Sequence, residues 1–201
     1  MIAIIDYDAG NLKSVEKALI HLGEEPCVTN DAATILAADK VILPGVGAFG
    51  DAMEKLHKLG LVEVLRKVAD KGTPLLGICL GMQILFDSSD EAPGVQGLSI
   101  LPGKICAIPH DCINKIPHMG WNSISFPKEC KLFEGIDEGS YVYFVHSYYL
   151  KADDEADVAA TTEYVVHIHA AAARGKVFGC QFHPEKSGDV GLKILKNFID
   201  L

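Results

Sequence analysis

The chain has 201 residues, a formal net charge of −9, 49% hydrophobic residues and 22% charged residues. This composition excludes intrinsic disorder for most of the chain and is typical of a folded domain with a sizeable core. The acidic balance, without a cluster of Lys and Arg, argues against nucleic acid or an anionic membrane as a partner. We therefore expect a single domain that spans residues 1–201.

The cysteines and the start of the chain predict its compartment. The six cysteines lack CxxC spacing, and a chain of this length does not depend on disulfides. Residues 1–6 carry no basic leader and are predicted to form a buried strand rather than a signal peptide. The apolar runs are too short to cross a membrane. We expect a cytoplasmic protein with reduced thiols.

The first half of the sequence alternates strands and helices. Short apolar runs predict strands covered on both faces, at residues 2–5, around Val28, at 40–43 and at 75–78. Apolar residues at helical spacing predict helices over 11–22 (with Asn11 as its cap), 49–56, 61–70 and 80–86. Successive strand–helix units predict an α/β fold with an open, mostly parallel sheet flanked by helices.

The pattern changes after Pro93. Short alternating segments there predict an antiparallel extension, with strands at 99–101, 104–108, 122–126, 141–149, 158–162 and 168–173. The apolar segment 177–181 is predicted to rejoin the main sheet, and a helix over 190–201 follows it. The acidic segment 151–157 is predicted to be an exposed loop.

The segment Gly77-Ile78-Cys79-Leu80-Gly81 places a cysteine between two glycines, at the junction of a predicted strand and a predicted helix. This is the pattern of a nucleophile elbow. The glycines let neighbouring backbone approach closely, and the turn lifts the thiol to the carboxyl edge of the sheet. The dipole of the following helix is predicted to favour the thiolate. The alternative is a buried structural cysteine.

A thiol nucleophile needs a base, and His183 has the most suitable surroundings of the eight histidines. It follows the predicted strand 177–181, so we expect it at the same sheet edge as Cys79. Glu185 lies two residues further on and can orient the imidazole and stabilise its charged form. The alternative is an exposed loop histidine.

The segment Pro44-Gly45-Val46-Gly47 directly follows a predicted strand. Its glycines free backbone N–H groups to face a bound oxygen, and the N–H of Leu80 is predicted to be a second donor to an oxyanion. The segment lacks the spacing of the glycine-rich loops that bind phosphate, which argues against a nucleotide site.

Metal ligands are the remaining alternative for the histidines and cysteines. His167 and His169 share one strand face, and Cys180 lies three residues before His183. Because the sequence has no set of four residues with zinc spacing, we predict no metal site.

Together, segments 44–47, 77–83 and 182–185 resemble the class I glutamine amidotransferases. The resemblance covers essentially the whole chain and implies a flavodoxin-like sheet. Within that class, the chain resembles the family of glutaminase subunits of imidazole glycerol phosphate synthase. The segments that carry this closer resemblance are 8–12, 44–49, 91–94, 117–122 and 183–187.

The resemblance implies a role for each matching residue and no cofactor. Cys79 would attack the side-chain amide of L-glutamine, His183 would transfer the proton, and Glu185 would orient His183. The N–H groups of Val46 and Leu80 would receive the oxyanion. The residues implied in substrate binding are Gly45, Gly47, Gln83, Glu91, Ser147 and Tyr148. For Gln83 and Glu91 the alternative is that neither residue binds substrate, and that Gln83 is simply part of the helix after the elbow and Glu91 part of a loop.

The same resemblance implies a partner, a (β/α)8 cyclase subunit that receives the ammonia in a heterodimer. The residues that match the contact with it are Asn11, Met119, Trp121 and Lys186. For Trp121 the alternative is ordinary core packing. Cys180 departs from the family pattern and is expected to react with thiol reagents.

Two other functions remain open. The chain could be the glutaminase of a different synthase. It could also be a non-catalytic interaction or redox module on the same fold, which would need neither His183 nor Glu185.

Overall fold

The computed structural model describes residues 1–8 and 10–201. Ala9, in the segment 8–12 that carries part of the family resemblance, lies outside the described residues. The strands are β1 (Ile2–Ile5), β2 (Pro26–Thr29), β3 (Lys40–Gly45), β4 (Leu75–Cys79), β5 (Ser88–Ser89), β6 (Gly103–Ala107), β7 (His118–Ser123), β8 (Tyr141–His146), β9 (Tyr148–Ala152), β10 (Val158–Glu163), β11 (His167–Arg174) and β12 (Val177–Cys180). The α-helices are α1 (Leu12–His21), α2 (Ala32–Ala37), α3 (Phe49–Lys58), α4 (Leu61–Asp70), α5 (Leu80–Gln83) and α6 (Gly188–Ile199).

The parallel half of the molecule consists of β1–β4 and β12 with the helices packed on them. Its strands lie in the order β2-β1-β3-β4-β12, and every neighbouring pair is parallel. Successive side chains alternate between two cores: Ile4 packs with α1 and α6, whereas Ala3 and Ile5 pack with α2, α3 and α4. Burial on both faces explains the continuous apolar runs of these strands.

The antiparallel half consists of β5–β11. Strand β11 pairs antiparallel with β12 and with β10, and β9 joins β11 to β6. Strands β7 and β8 form a separate two-stranded antiparallel sheet. The predicted fold class, a mostly parallel sheet with an antiparallel extension, is confirmed.

Two predictions near the elbow are wrong for one shared reason. Helix α5 ends at Gln83 rather than at residue 86, and segment 99–101 is not a strand. The backbone N–H of Leu98 donates to the carbonyl of Ile84, and the N–H groups of residues 99–101 donate to the carbonyls of 85 and 86. The chain after Gln83 continues in turns, because the N–H groups of Leu85 and Phe86 donate to the carbonyls three residues back, and the carbonyls of 84–86 bond to the later segment rather than to a further helical turn.

Three predictions in the antiparallel half also need correction. The predicted strand 141–149 is two strands, because the chain leaves the β7–β8 sheet at Ser147 and joins β6. The predicted strand 122–126 begins four residues earlier, as β7. The predicted loop 151–157 is partly β9, and its Asp157 is buried and pairs with Arg174 at 2.8 Å.

None of the helices in residues 1–8 and 10–201 combines the length and the hydrophobicity that a membrane-spanning helix needs.

Candidate active site

Cys79 occupies a strained turn at the carboxyl end of β4. Its φ of 55° and ψ of −113° place a non-glycine residue outside the usual regions. A Cβ on Gly81 would lie 1.7 Å from the Leu43 carbonyl oxygen, and one on Gly77 would lie 2.7 Å from the Gly81 carbonyl oxygen. The turn therefore requires both glycines. Because α5 has only four residues, the helix-dipole stabilisation expected for the thiolate has little support.

His183 reaches the same edge of the sheet from the neighbouring strand. Strand β12 runs parallel to β4, with Cys180 opposite Ile78, and His183 follows three residues later. The side chain is fully buried, and its backbone N–H donates to the carbonyl of Tyr143 at 2.9 Å. Cys79 and His183 line one pocket, although they are more than a hundred residues apart in sequence.

A buried carboxylate holds the imidazole of His183. Glu185 Oε1 lies 2.7 Å from Nδ1 of His183, and both side chains are fully buried. The amide of Asn11 donates to the same carboxylate oxygen at 2.6 Å. Asn11 was expected to cap α1, but it has a φ of 76° and makes no side-chain cap bond. Its side chain instead fixes the orientation of Glu185.

The surroundings of His183 favour the charged imidazolium. Burial lowers the pKa of His183, but hydrogen bonding and charge attraction from Cys79 and Glu185 outweigh it and raise the pKa to about 9. The Nε2 atom is buried and has no conventional hydrogen-bond partner among residues 1–8 and 10–201. It is the nitrogen left for Cys79, since Nδ1 faces Glu185.

The pocket at this edge has a volume of about 320 Å³. It collects most of the residues for which the sequence predicted catalytic, oxyanion or substrate roles: Cys79, His183, Val46, Leu80, Gly47, Gln83, Glu91, Ser147 and Tyr148. The pocket draws on strand ends of the parallel half and on the β8–β9 junction of the antiparallel half. Its size suits a small polar ligand such as an amino acid.

Gly45 does not line the pocket, unlike the other residues predicted to bind the substrate. It is buried in β3, where it pairs with Cys79 across the parallel ladder. A Cβ there would lie 2.2 Å from the hydroxyl oxygen of the buried Tyr7 and 3.1 Å from the backbone nitrogen of Gly81, so a larger residue would force the Tyr7 side chain to shift. Gly47 follows with a φ of 103°, and the exposed Val46 lies between them. The loop that carries the Val46 N–H, one of the two expected oxyanion donors, is therefore packed tightly at its first residue.

Glu91 has a structural contact in addition to its place in the pocket. Its Oε2 accepts the backbone N–H of Phe49, the first residue of α3, at 2.7 Å. Glu91 therefore is not merely a loop residue, which was the alternative that the sequence left open. It lines the pocket, and its carboxylate links the start of α3 to the pocket wall.

Three further pocket residues were missed by the sequence analysis, namely Pro117, Val145 and His146. His146 is buried, and its Nε2 lies 3.0 Å from Nδ1 of His118. Its Nδ1 lies 2.7 Å from the carbonyl oxygen of Tyr148. Finding this pair requires the register of β7 against β8, which the sequence does not provide.

The β7–β8 sheet presents an exposed apolar face beside the pocket. Met119 is 64% exposed and Trp121 is 55% exposed, so core packing of Trp121 is wrong. Val145 pairs with Met119 in β8 and also lines the pocket. Lys186 is exposed directly after Glu185, whereas Asn11 is half-buried at the Glu185 carboxylate.

The structure also describes Cys180 and the two histidines that were considered as metal ligands. Cys180 is fully buried, and burial raises its pKa well above the usual thiol range, so the expectation that it reacts with thiol reagents is wrong. His169 is buried and accepts the backbone N–H of Ala152, whereas His167 is exposed beside Glu163. In the described part of the chain, no group of three or more metal-ligating side chains is assembled.

Comparison with known proteins agrees with this geometry. The model of the family described as "Glutamine amidotransferase class-I" matches residues 3–201. The imidazole glycerol phosphate synthase subunit HisH of Bacillus cereus is 54% identical over 198 residues, covering 98% of this chain and 93% of that protein. The HisH subunit of Moorella thermoacetica is 54% identical over 200 residues, covering 100% and 94%. A crystal structure of a glutamine amidotransferase shares the fold, with a TM-score of 0.78 and 18% identity over 100% of this chain and 98% of that one.

Proposed function

The chain belongs to the class-I glutamine amidotransferase family, and from that premise we propose that it is the glutaminase subunit of an imidazole glycerol phosphate synthase in histidine biosynthesis. It hydrolyses L-glutamine to L-glutamate and ammonia. One observation carries the proposal. Cys79, on a strained elbow, lines the same pocket as His183, and Glu185 holds the His183 Nδ1 so that Nε2 is left for the sulfur.

The reaction begins with the Cys79 sulfur as nucleophile. The thiol proton of Cys79 lies on His183 Nε2, in keeping with the raised pKa of that imidazole, and the thiolate sulfur attacks the side-chain amide carbon of glutamine. The N–H groups of Val46 and Leu80 stabilise the oxyanion of the tetrahedral intermediate. His183 then gives its proton to the leaving nitrogen, the carbon–nitrogen bond breaks, and ammonia departs, which leaves a thioester on Cys79.

Water completes the cycle with the same residues. His183 takes a proton from water, the resulting hydroxide attacks the thioester, and the proton returns to the sulfur as glutamate leaves. Glu185 supports both steps because it keeps Nδ1 protonated and stabilises the imidazolium. The hydrogen bond from Asn11 holds Glu185 in place, so a residue expected at the partner contact also supports the triad.

The remaining pocket residues hold the substrate. The carboxylate of Glu91 suits the α-ammonium group, and Gly47, Gln83, Ser147 and Tyr148 surround the rest of the ligand. Gly45 contributes indirectly, because it fixes the start of the loop that contains Val46.

The partner in this proposal is a (β/α)8 cyclase subunit. It takes the ammonia and a phosphoribulosyl-formimino aminoimidazole carboxamide ribotide, and it forms imidazole glycerol phosphate and an aminoimidazole carboxamide ribotide. The exposed apolar face with Met119 and Trp121 supports docking beside the pocket, because large exposed apolar side chains are typical of interface anchors.

The test combines the chain with a cyclase subunit and measures glutamate release with and without the ribotide. We expect release by the complex and its loss in Cys79→Ala, while synthesis from added ammonia survives in that variant. Loss of both activities would indicate an unfolded or undocked subunit, and unchanged glutamate release would exclude Cys79 as the nucleophile.

Two alternatives predict other results. If the chain serves a different synthase, it will fail to bind the cyclase and yet hydrolyse glutamine with its own partner. If it is a non-catalytic module, no glutamate will form in any combination. The buried His183–Glu185 pair argues against that module, because such a module has no need of an oriented base.

A further inference from the structure

Gln181 is a fully buried amide beside the reactive sulfur, and the mechanism above does not use it. It directly follows β12 and lies two residues before His183. Its Nε2 donates to the Cys79 Sγ over 3.8 Å. A buried amide needs partners for both of its ends, so the orientation of this side chain has consequences for the sulfur.

A chain of hydrogen bonds fixes which end of the Gln181 amide faces Cys79. The Nε2 of Gln83 donates to the backbone carbonyl of Tyr148 at 3.2 Å, and that carbonyl can only accept. The same nitrogen donates to Oε1 of Gln181 at 2.9 Å. If the Gln181 amide were reversed, two NH₂ groups would face each other. Because the chain is anchored on a backbone carbonyl, the NH₂ group of Gln181 must point to the sulfur.

From this geometry we propose that Gln181 is a further catalytic residue, an amide donor that stabilises the Cys79 thiolate, with Gln83 as the positioning residue that sets its orientation. The inference rests on the proposed function of Cys79 as the nucleophile. It also restricts Gln83: both hydrogens of its amide are already used, so only its Oε1 remains for a ligand.

The other neighbour of the sulfur shows why a donor is needed. The Cys79 thiol donates to the backbone carbonyl of Val145 over 3.9 Å, which suits the neutral thiol. Once the proton moves to His183, the thiolate faces that carbonyl oxygen, and the two repel. The N–H of Gln181 then makes a charge-assisted bond to the thiolate, and such bonds are stronger than neutral ones. Gln181 therefore favours the charged form in a buried site.

The test is the pH dependence of Cys79 alkylation by iodoacetamide, a neutral reagent that reacts with thiolates and needs no glutamine turnover. Mass spectrometry follows the Cys79 peptide, and the exposed Cys112 is the internal reference thiol. The variants are Gln181→Glu, which replaces the donor by an acceptor, and Gln181→Met, which removes the donor without adding charge. Gln96→Glu adds the same charge at an exposed glutamine and is the matched control.

We expect Gln181→Glu to slow Cys79 alkylation at pH 7 by about tenfold or more and to shift the pH–rate curve upward by about one unit. Gln181→Met should slow it by about threefold, and Gln96→Glu should match the wild type. If Gln181→Glu does not fold, the Met variant carries the test. Superimposable curves for wild type and Gln181→Met would overturn the inference. If wild-type Cys79 reacts no faster than Cys112, the proposed function fails instead.

Discussion

The parallel half and the antiparallel half contribute different parts of the pocket. The parallel half supplies Cys79 and His183 from the ends of adjacent strands that are buried on both faces. The antiparallel half supplies a wall at the β8–β9 junction, where Ser147 and Tyr148 lie beside the exposed apolar face. The buried strand ends therefore hold the two reacting side chains in place. The half-exposed wall lies where it can contact both a ligand in the pocket and a partner on the exposed face.

The largest effect on stability is expected at Gly81, where the backbone of the parallel half leaves no space for a side chain. In Gly81→Ala the new Cβ would lie 1.7 Å from the Leu43 carbonyl oxygen, which is backbone and cannot move aside. We expect the free energy of unfolding to fall by about 4 kcal/mol or more, or the protein to be insoluble. Urea denaturation monitored by circular dichroism measures the change.

Gly50→Ala is the matched control for that substitution. Gly50 lies in α3, and a Cβ there would only touch Ala92 at 3.4 Å. Alanine should stabilise this helix by about 0.5–1 kcal/mol. If Gly81→Ala were as well tolerated as Gly50→Ala, the elbow would be looser than described, and the strand ends of the parallel half would not hold Cys79 rigidly.

The parallel half was also the part that the sequence predicted best. Strands buried on both faces leave continuous apolar runs, so β1, β3 and β4 were found with their ends nearly correct, and helix α4 was found exactly as predicted, at Leu61–Asp70. Strand β7 contains His, Gly, Trp and Asn, because one face packs on histidine and aromatic rings and the other is exposed. The alternation of apolar and polar residues by which a strand is predicted from sequence is therefore weak in β7.

A second effect, of intermediate size, concerns acid and the antiparallel half. Burial lowers the pKa of His118 to about 4, and it lowers that of His146 to about 3. An unfolded histidine has a pKa of about 6.5 and takes up a proton as the pH falls below that value, while the folded pair stays neutral. The free energy of unfolding should therefore fall between pH 6.5 and pH 4, by about 2 kcal/mol per histidine at pH 5.

The variant His118→Gln tests this effect because it keeps a side-chain N–H for His146. Between pH 8 and pH 5 it should lose about 2 kcal/mol less stability than the wild type. Denaturant titrations at the two pH values measure the difference. An equal loss in both proteins would mean that His118 does not contribute to the acid sensitivity of this half.

The smallest effect on folding is expected at Trp121, on the exposed face of the antiparallel half. Its ring touches Tyr143 edge-on, with centroids 6.1 Å apart, and most of it faces water. Trp121→Ala should change the free energy of unfolding by less than about 1 kcal/mol. Binding to the cyclase subunit, measured by calorimetry, should weaken by about 2 kcal/mol, or about thirtyfold in Kd.

Leu59→Ala is the control for the docking measurement, because it removes an exposed apolar side chain at the end of α3. It should leave binding to the cyclase subunit unchanged. If both variants bound the cyclase as well as the wild type, the exposed face would not be the docking surface.

The contacts that join distant parts of the site are what the sequence could not provide. Local motifs identified Cys79, His183 and Glu185, since each lies in a short segment with its own chemical pattern. The bond from Asn11 to Glu185 spans 174 residues, and an Asn before a helix is typical of a cap, so the sequence suggested the wrong partner. The amide chain from Tyr148 to Gln181 likewise needs the relative positions of β9, α5 and β12.

Covalent labelling with a diazoketone analogue of glutamine, which traps a nucleophile that attacks the side-chain carbon, asks directly whether Cys79 and His183 react as a pair. Incubated with the complex of this chain and a cyclase subunit, it should leave one adduct per chain on Cys79. His183→Ala should slow that labelling by at least about a hundredfold, because the base is lost. An adduct on another cysteine, or equal labelling rates with and without His183, would show that these two residues do not act together.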